Sequence, residues 1–469
     1  MTAREQALAF VEENFENTLE DLISLSKIPS ISFPGFDHST IDQSAERVVE
    51  LMKDAGLENV QVLKSKNSFP NVYGDHCHKP GKPTLLLYAH HDVQPIGEKD
   101  KWQTEPFVPT KKEGPGGMRL YGRGTADDKA GIFVHLAAIK GFLKTAKELP
   151  LNIKVLVEGE EEIGSPNLLE FLTEFNDQVQ ADIMVLTDTA NFDCGLPSLT
   201  TSLRGMVCLD VEVISSTKKL HNGLYGGLVP DPAMALCKML GSLTDDKNFV
   251  TVPEIVDLLP ALDPKLVAEF EKLPFNETEF KEAAGMKASQ ALLPSEGHPL
   301  ANLWRRASLV VNGIQASEKS NAGNVINPSA WARLNLRLPP KSDPEKIEAA
   351  LISYLNKVTP WGLELKIKRE SLGSPWETDA LGEHKEIFEI TRESLKKGYG
   401  KEAALTGCGA SIPFVEPFAL ALKGAPALLV GIEDPYTNAH GENESLLISD
   451  LKKACLAQVH LFQDLAEKL

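Results

Sequence analysis

Three adjacent glutamates, Glu160, Glu161 and Glu162, follow the apolar run VLVEG. On a solvated loop such a trio is ordinary, because acidic side chains belong in water. Directly after a buried strand it is costly unless cations neutralise it. A pair of metal ions would do so while leaving one carboxylate free to move protons. Other apolar runs end in the same kind of residue: LLLYAHHD closes on His90, His91 and Asp92, and MVLTD closes on Asp188. His440, in NAHGENE, lies in the loop after a run that ends near Gly431. Strand alternation puts His90 and Asp92 on one side and His91 on the other, so one histidine could hold a metal while the other orients a neighbouring ligand. The segment YGRGTADDKAGIFVHLAAIKGFL adds a Gly-rich turn entering a helix, with Asp127 and Asp128 at the helix start. An aspartate there can be a plain N-cap. Alternatively, the glycines let the backbone pass close to metals and one carboxylate bridges them. The residues alone do not say which of the three glutamates does what.

The elements that must position these groups read as an α/β sheet. Over the first 200 residues helical patterns alternate with the short runs TLLLYA (84–89), IKVLVEG (153–159) and DIMVLTD (182–188), the signature of a mostly parallel sheet. The style resumes with APALLVGI (425–432), a buried strand, and SLLISDLKKACLAQVHLFQDLAEKL, a closing amphipathic helix. In such sheets ligands bind beyond the carboxyl ends of the strands, where groups distant in sequence converge. Between these parts, CLDVEVIS (208–215) and WARLNLRLP (331–339) alternate with period two, as antiparallel sheets solvated on one face do. The division expected is a catalytic domain over 1–203 and 373–469, interrupted by an inserted α+β lid or dimerisation domain over 204–372. Residues 241–320 are an elaboration of that insert, Pro- and Glu-rich with helical pieces.

Composition bounds the function. The 469 residues are 42% hydrophobic, which excludes a disordered chain and suits roughly two or three domains. A net charge of −18, from 66 acidic and 48 basic residues, argues against nucleic-acid and anionic-membrane partners. The N-terminus MTAREQALAFVEENF reads as an opening helix, since its acidic residues do not suit a signal peptide. No run reaches the roughly 18 apolar residues of a membrane span, so the expectation is a cytoplasmic protein. Six scattered cysteines without a CxxC pair predict reduced thiols.

The motifs YAHHDVQP, YGRGTADDKA, EGEEEIGS, LTDTAN, LHNGLYGG, NVINP followed by NLRL, and NAHGENE resemble, in order and approximate spacing, those of a family of two-zinc metallopeptidases. That family includes carnosinase, bacterial dipeptidases, glutamate carboxypeptidase, aminoacylase and succinyl-diaminopimelate desuccinylase. The likeness covers nearly the whole chain and leans toward the carnosinase-like dipeptidases. It implies that His90 and Asp188 hold one metal, that Glu162 and His440 hold the other, and that Asp127 bridges them. Glu161 is then the general base, and Asp92 fixes the His90 imidazole. It further implies that His221 holds the oxyanion, often across a homodimer, that Asn324 and Ser411 touch substrate, and that Arg337 grips the substrate carboxylate. The alternation of WARLNLRL independently puts Arg337 on the polar face with Arg333 and Asn335.

The reaction implied is hydrolysis of an amide bond, in a dipeptide or short peptide with a free C-terminal carboxylate, by a metal-bridged hydroxide with Glu161 as base and then acid. Because His221 lies on the insert, catalysis should require closure of one domain on the other. Two zinc ions suit two histidines and three carboxylates, with manganese or cobalt as substitutes. The rival within the same chemistry is a deacylase or desuccinylase acting on an N-acyl amino acid. A further alternative is a non-catalytic metal- or peptide-binding protein on the same scaffold. The chain departs from close carnosinase relatives at Ala130, Cys408 and Gly382, positions that bear on how a free amino terminus would be recognised.

Overall fold

In the computed structural model, which describes residues 1–409 and 415–469, the apolar runs of the first unit lie side by side as strands of one sheet. Their order is Glu58–Leu63, Asn71–His76, Asn152–Glu158, Thr84–His90, Ile183–Ala190, Ala427–Glu433 and Ser198–Leu203. The four from Asn152–Glu158 through Ala427–Glu433 are parallel. The outer pairings are antiparallel, so the sheet is mixed. Thr84–His90 is buried along almost its full length, which is why it reads as continuous apolar sequence rather than alternation. The helix Lys129–Thr145 packs on this strand and is itself covered by Ala3–Glu13 and Ile448–Lys468. Almost every residue in its first three turns is buried, and it is apolar on all sides as a central helix must be. Parallel strands end at one edge, and here that edge carries His90, Glu158 followed by Gly159, Asp188 and Glu433.

This first unit comprises Met1–Thr201, Thr378–Thr406 and the C-terminal segment to Leu469. The second comprises Ser202–Glu377 and a short stretch beginning at Gly407. Its own sheet is antiparallel throughout, in the order Ser308–Gln315, Ser329–Leu338, Gly205–Ile214, Glu364–Gly373. Along Ser329–Leu338 buried and half-buried residues alternate strictly, so period two in the sequence becomes one apolar and one polar face. Helices Pro232–Gly241 and Pro344–Val358 pack against this sheet. Each starts with a proline after an aspartate N-cap: Asp231 accepts from the Ala233 amide at 3.2 Å and Asp343 from the Lys346 amide at 3.1 Å. The 241–320 stretch holds four short helices, Pro253–Val256, Pro264–Phe270, Glu277–Ala283 and Pro299–Arg305. It also holds the edge strand Ser308–Gln315, which the sequence reading, with its helical pieces, did not identify. That strand exposes Val310, Val311 and Ile314, and with little burial it lacks a period to read. No described helix is long and apolar enough to cross a membrane.

Candidate metal centre

Asp127 stands between two histidines. Its Oδ1 lies 3.1 Å from His90 Nε2, and its Oδ2 lies 3.1 Å from His440 Nε2. Around His90 are Glu161 Oε2 at 3.8 Å and Asp188 Oδ2 at 3.9 Å; next to His440 is Glu162 Oε2 at 3.3 Å. Ligand-type atoms of His90, Glu161 and Asp188, and of His90, Asp127 and Glu162, fall within 4.8 Å of one another. Strand-end placement accounts for His90 and Asp188, and the turn Glu161–Ile163 after Asn152–Glu158 supplies the glutamates.

The three glutamates have three different tasks. Glu160 turns away and accepts backbone hydrogen bonds from Phe69 and Asn167, each at 3.0 Å. Glu161 faces His90, whereas Glu162 faces His440 and accepts from the Gln94 side chain at 2.7 Å. Asp92 fixes both halves of the arrangement. Its Oδ1 lies 3.4 Å from His90 Nδ1, and its two oxygens accept the Glu161 and Glu162 amides at 3.1 Å each. His91 points elsewhere, pairing with the Pro70 carbonyl at 2.9 Å. A Cβ on Gly159 would strike that carbonyl and His91, so only glycine lets the chain leave the strand here.

Two positioning residues escaped the sequence reading. The Glu444 carboxylate accepts from the Gly124 and Ala126 amides at 3.0 Å and from the Asp127 amide at 3.2 Å, and it pairs with buried Arg123 at 2.8 Å. It thereby holds the loop that presents Asp127, while Asp128, at the helix N-cap, makes no side-chain capping bond. The Asp127–Asp128 peptide is cis. Glu433 was also missed, although it closes the strand Ala427–Glu433 at the same edge. Arg123 and Glu444 were inside motifs already singled out, but nothing in their spacing says that they meet.

The electrostatics are those of a site with too little positive charge. Burial pushes Glu162 up to about 7 and Asp188 up to about 6, and neighbouring carboxylates add to both shifts. Burial likewise holds Glu161 and Glu433 well above the usual carboxylate range, with the charge of Asp188 raising both further. Asp127 goes the other way, since hydrogen bonds from His440 and His90 outweigh its burial. His440 is raised to about 11 by its bonds to Asp127 and Glu162. Burial opposes charge on His90, but Asp127, Asp92, Asp188 and Glu161 together hold it well above its ordinary value. Two imidazoles and several carboxylates around one bridging aspartate form a donor set that fits divalent ions of the zinc class.

The remaining predicted residues lie in the second unit, apart from Ser411, which falls outside the described residues. His221 and Asn324 are neighbours there: His221 pairs in register with Val325, and the Asn222 amide donates to the Asn324 carbonyl at 3.0 Å. His221 is exposed, and its Nδ1 accepts the Gly223 amide at 3.1 Å. Arg337 is half-buried on the polar face of Ser329–Leu338. Arg204, not anticipated from sequence, is buried close enough to feel its charge; burial and then Arg337 push Arg204 down to about 10. Among the departures, Ala130 is fully buried, Cys408 is partly exposed and in no disulfide, and Gly382 abuts the Asp379 carboxylate, which a Cβ would strike.

Comparison with known proteins supplies the family. Residues 86–464 match peptidase family M20/M25/M40. The cysteinylglycine-S-conjugate dipeptidase of Corynebacterium striatum is 30% identical over 422 residues, covering 89% of this chain and 89% of that protein. The beta-Ala-His dipeptidase of Rattus norvegicus is 26% identical over 407 residues, covering 84% of this chain and 79% of its own length. Among solved structures, the M20 family metallo-carboxypeptidase Sso-CP2 from Sulfolobus solfataricus superposes with a TM-score of 0.81 at 29% identity, covering 96% of this chain and 99% of that one. The chain belongs to peptidase family M20/M25/M40 and is a metallohydrolase.

Proposed function

We propose that this M20/M25/M40 hydrolase cleaves the amide bond of dipeptides or short peptides that carry a free C-terminal carboxylate, using two zinc ions. The observation that carries the reading is Asp127, whose two oxygens each lie 3.1 Å from a different histidine nitrogen. In this reading His90 and Asp188 hold one ion, Glu162 and His440 hold the other, and Asp127 serves both. The ions would supply Lewis acidity and an acidified water. Glu161 takes a proton from the attacking water and returns it to the leaving nitrogen; its raised affinity for a proton, caused first by burial, suits both transfers. Asp92 keeps the His90 ring in one orientation while bracing the turn that carries Glu161. His221 would donate to the developing oxyanion, a contribution of about 3 kcal/mol for one well-placed donor. Arg337, with Arg204 beside it, would receive the substrate carboxylate, and Asn324 would add a polar contact.

The preference for dipeptides draws support from the names of the similar proteins and from the arginine pair. A cytoplasmic location and a homodimer belong to the same proposal. The test is a panel of dipeptides set against N-acetyl and N-succinyl amino acids, with zinc or manganese supplied. Turnover confined to the acylated compounds overturns the dipeptidase reading in favour of a deacylase. Glu161→Gln should bind metal normally and lose about 10²–10⁴-fold in turnover; unchanged turnover would remove Glu161 from the mechanism.

A further inference from the structure

A second histidine and carboxylate cluster lies at the opposite edge of the same sheet. His76 ends the strand Asn71–His76 and pairs in register with Ile153, near the start of the strand Asn152–Glu158. The metal centre lies beyond the other end of that strand, about 17 Å away at the rise of an extended chain. His78 follows His76 by two residues, and their rings meet edge-on with centroids 4.6 Å apart. Glu58 opens the neighbouring strand, opposite Asp75, and its Oε2 lies 2.8 Å from His78 Nε2. Cys77, between the two histidines, directs its sulfur to the Ile153 carbonyl at 3.6 Å and is spoken for.

An exposed His–Glu pair by itself is an ordinary surface contact. Two further observations set this one apart. One ligand-type atom from each of Glu58, His76 and His78 lies within 4.8 Å of the others. His76 Nδ1, moreover, is buried with no hydrogen-bond partner, as are the Nδ1 atoms of His91, His298 and His460, but His76 has a second imidazole and a carboxylate beside it.

We propose that Glu58, His76 and His78 form a separate binding site for a divalent first-row transition ion of the zinc class. Two imidazoles and one carboxylate are the donors such ions prefer, and they leave a fourth position for water. Ligand atoms around a tetrahedral zinc stand about 3.3 Å apart, so small side-chain rotations close the cluster. Glu58 and His78 are more than half exposed and free to make them. The net charge of −18 draws cations toward the surface. Because this ion sits at the far edge of the sheet, its loss leaves hydrolysis untouched.

The experiment strips the full chain with a chelator, reloads it with zinc alone and counts bound ions by equilibrium dialysis. Wild type should hold one more ion per chain than His78→Asn, and Glu58→Gln should weaken that extra ion by at least about 10-fold. With copper(II) in place of zinc, wild type should give, by electron paramagnetic resonance, a nitrogen-coordinated component that the double variant His76→Asn, His78→Asn lacks, over the signal that His90 and His440 give in both chains. Equal ion counts in wild type and His78→Asn overturn the proposal. The count is a difference between chains, so it reads this site whatever becomes of the proposed hydrolytic function.

Discussion

At the carboxyl edge of the first unit's sheet, Asp127, Glu161, Glu162, Asp188 and Glu433 share two imidazoles, and every carboxyl but Asp127 is driven toward its protonated form. The polar face of the second unit's sheet carries paired charges without any such pressure. There Arg333 faces Asp210 at 2.7 Å and Glu370 at 2.9 Å, and Lys368 pairs with Glu370 as well. The second surface balances itself with its own residues. The first has no internal remedy for its excess of negative charge, and that shortfall is what a divalent cation satisfies.

The contrast can be broken first at Glu444. Glu444→Ala leaves Arg123 buried without its partner and releases three backbone amides, and the expected cost is about 3–5 kcal/mol. Chemical denaturation would measure it; a loss under about 1 kcal/mol would mean that the first unit tolerates unbalanced charge as easily as the second.

The next largest effect is the cation itself. Ion at about 100 times its dissociation constant should stabilise the chain by about 2.7 kcal/mol. Its pH dependence carries a definite sign. Asp188 and Glu162 have folded values of about 6 and about 7, above their unfolded ones. The stability they lend the metal-free chain is therefore complete below about pH 4 and lost as the pH rises through 6 to 7. His440, raised to about 11, also holds a proton that a metal must displace. The rise in melting temperature on adding zinc should accordingly be larger at about pH 8 than at about pH 5. A rise that stays flat or shrinks with pH would place the ions elsewhere. The smallest effect belongs to the balanced face: Arg333→Ala, at a site more than a third exposed, should cost under about 1 kcal/mol and weaken further with salt.

Much of the frame could be read from sequence because burial writes itself into pattern. Continuous apolar runs marked the parallel strands, and strict alternation marked Ser329–Leu338. The strands Glu58–Leu63 and Ser308–Gln315 left no such trace, being largely exposed. At the site, strand ends indicated His90 and Asp188, but the division of labour among Glu160, Glu161 and Glu162 rests on the curl of a three-residue turn and on which amides Asp92 accepts. Period cannot encode that, and the family resemblance supplied the assignment instead. Arg123 and Glu444 stayed invisible because their partnership spans 321 positions. No local rule links residues so far apart.

That separation matters for a chain emerging from a ribosome. The Asp127 amide donates to a carboxylate 317 residues downstream, and the strand Ala427–Glu433 fills its place in the sheet equally late. Synthesis is vectorial, and long-range contacts form only once both ends exist. The segment that presents Asp127 therefore stays without its anchor until residue 444 has been made. A nascent or truncated chain ending before residue 444 carries Asp127 on a loop that lacks the carboxylate holding its amides, although Asp92 already braces Glu161 and Glu162.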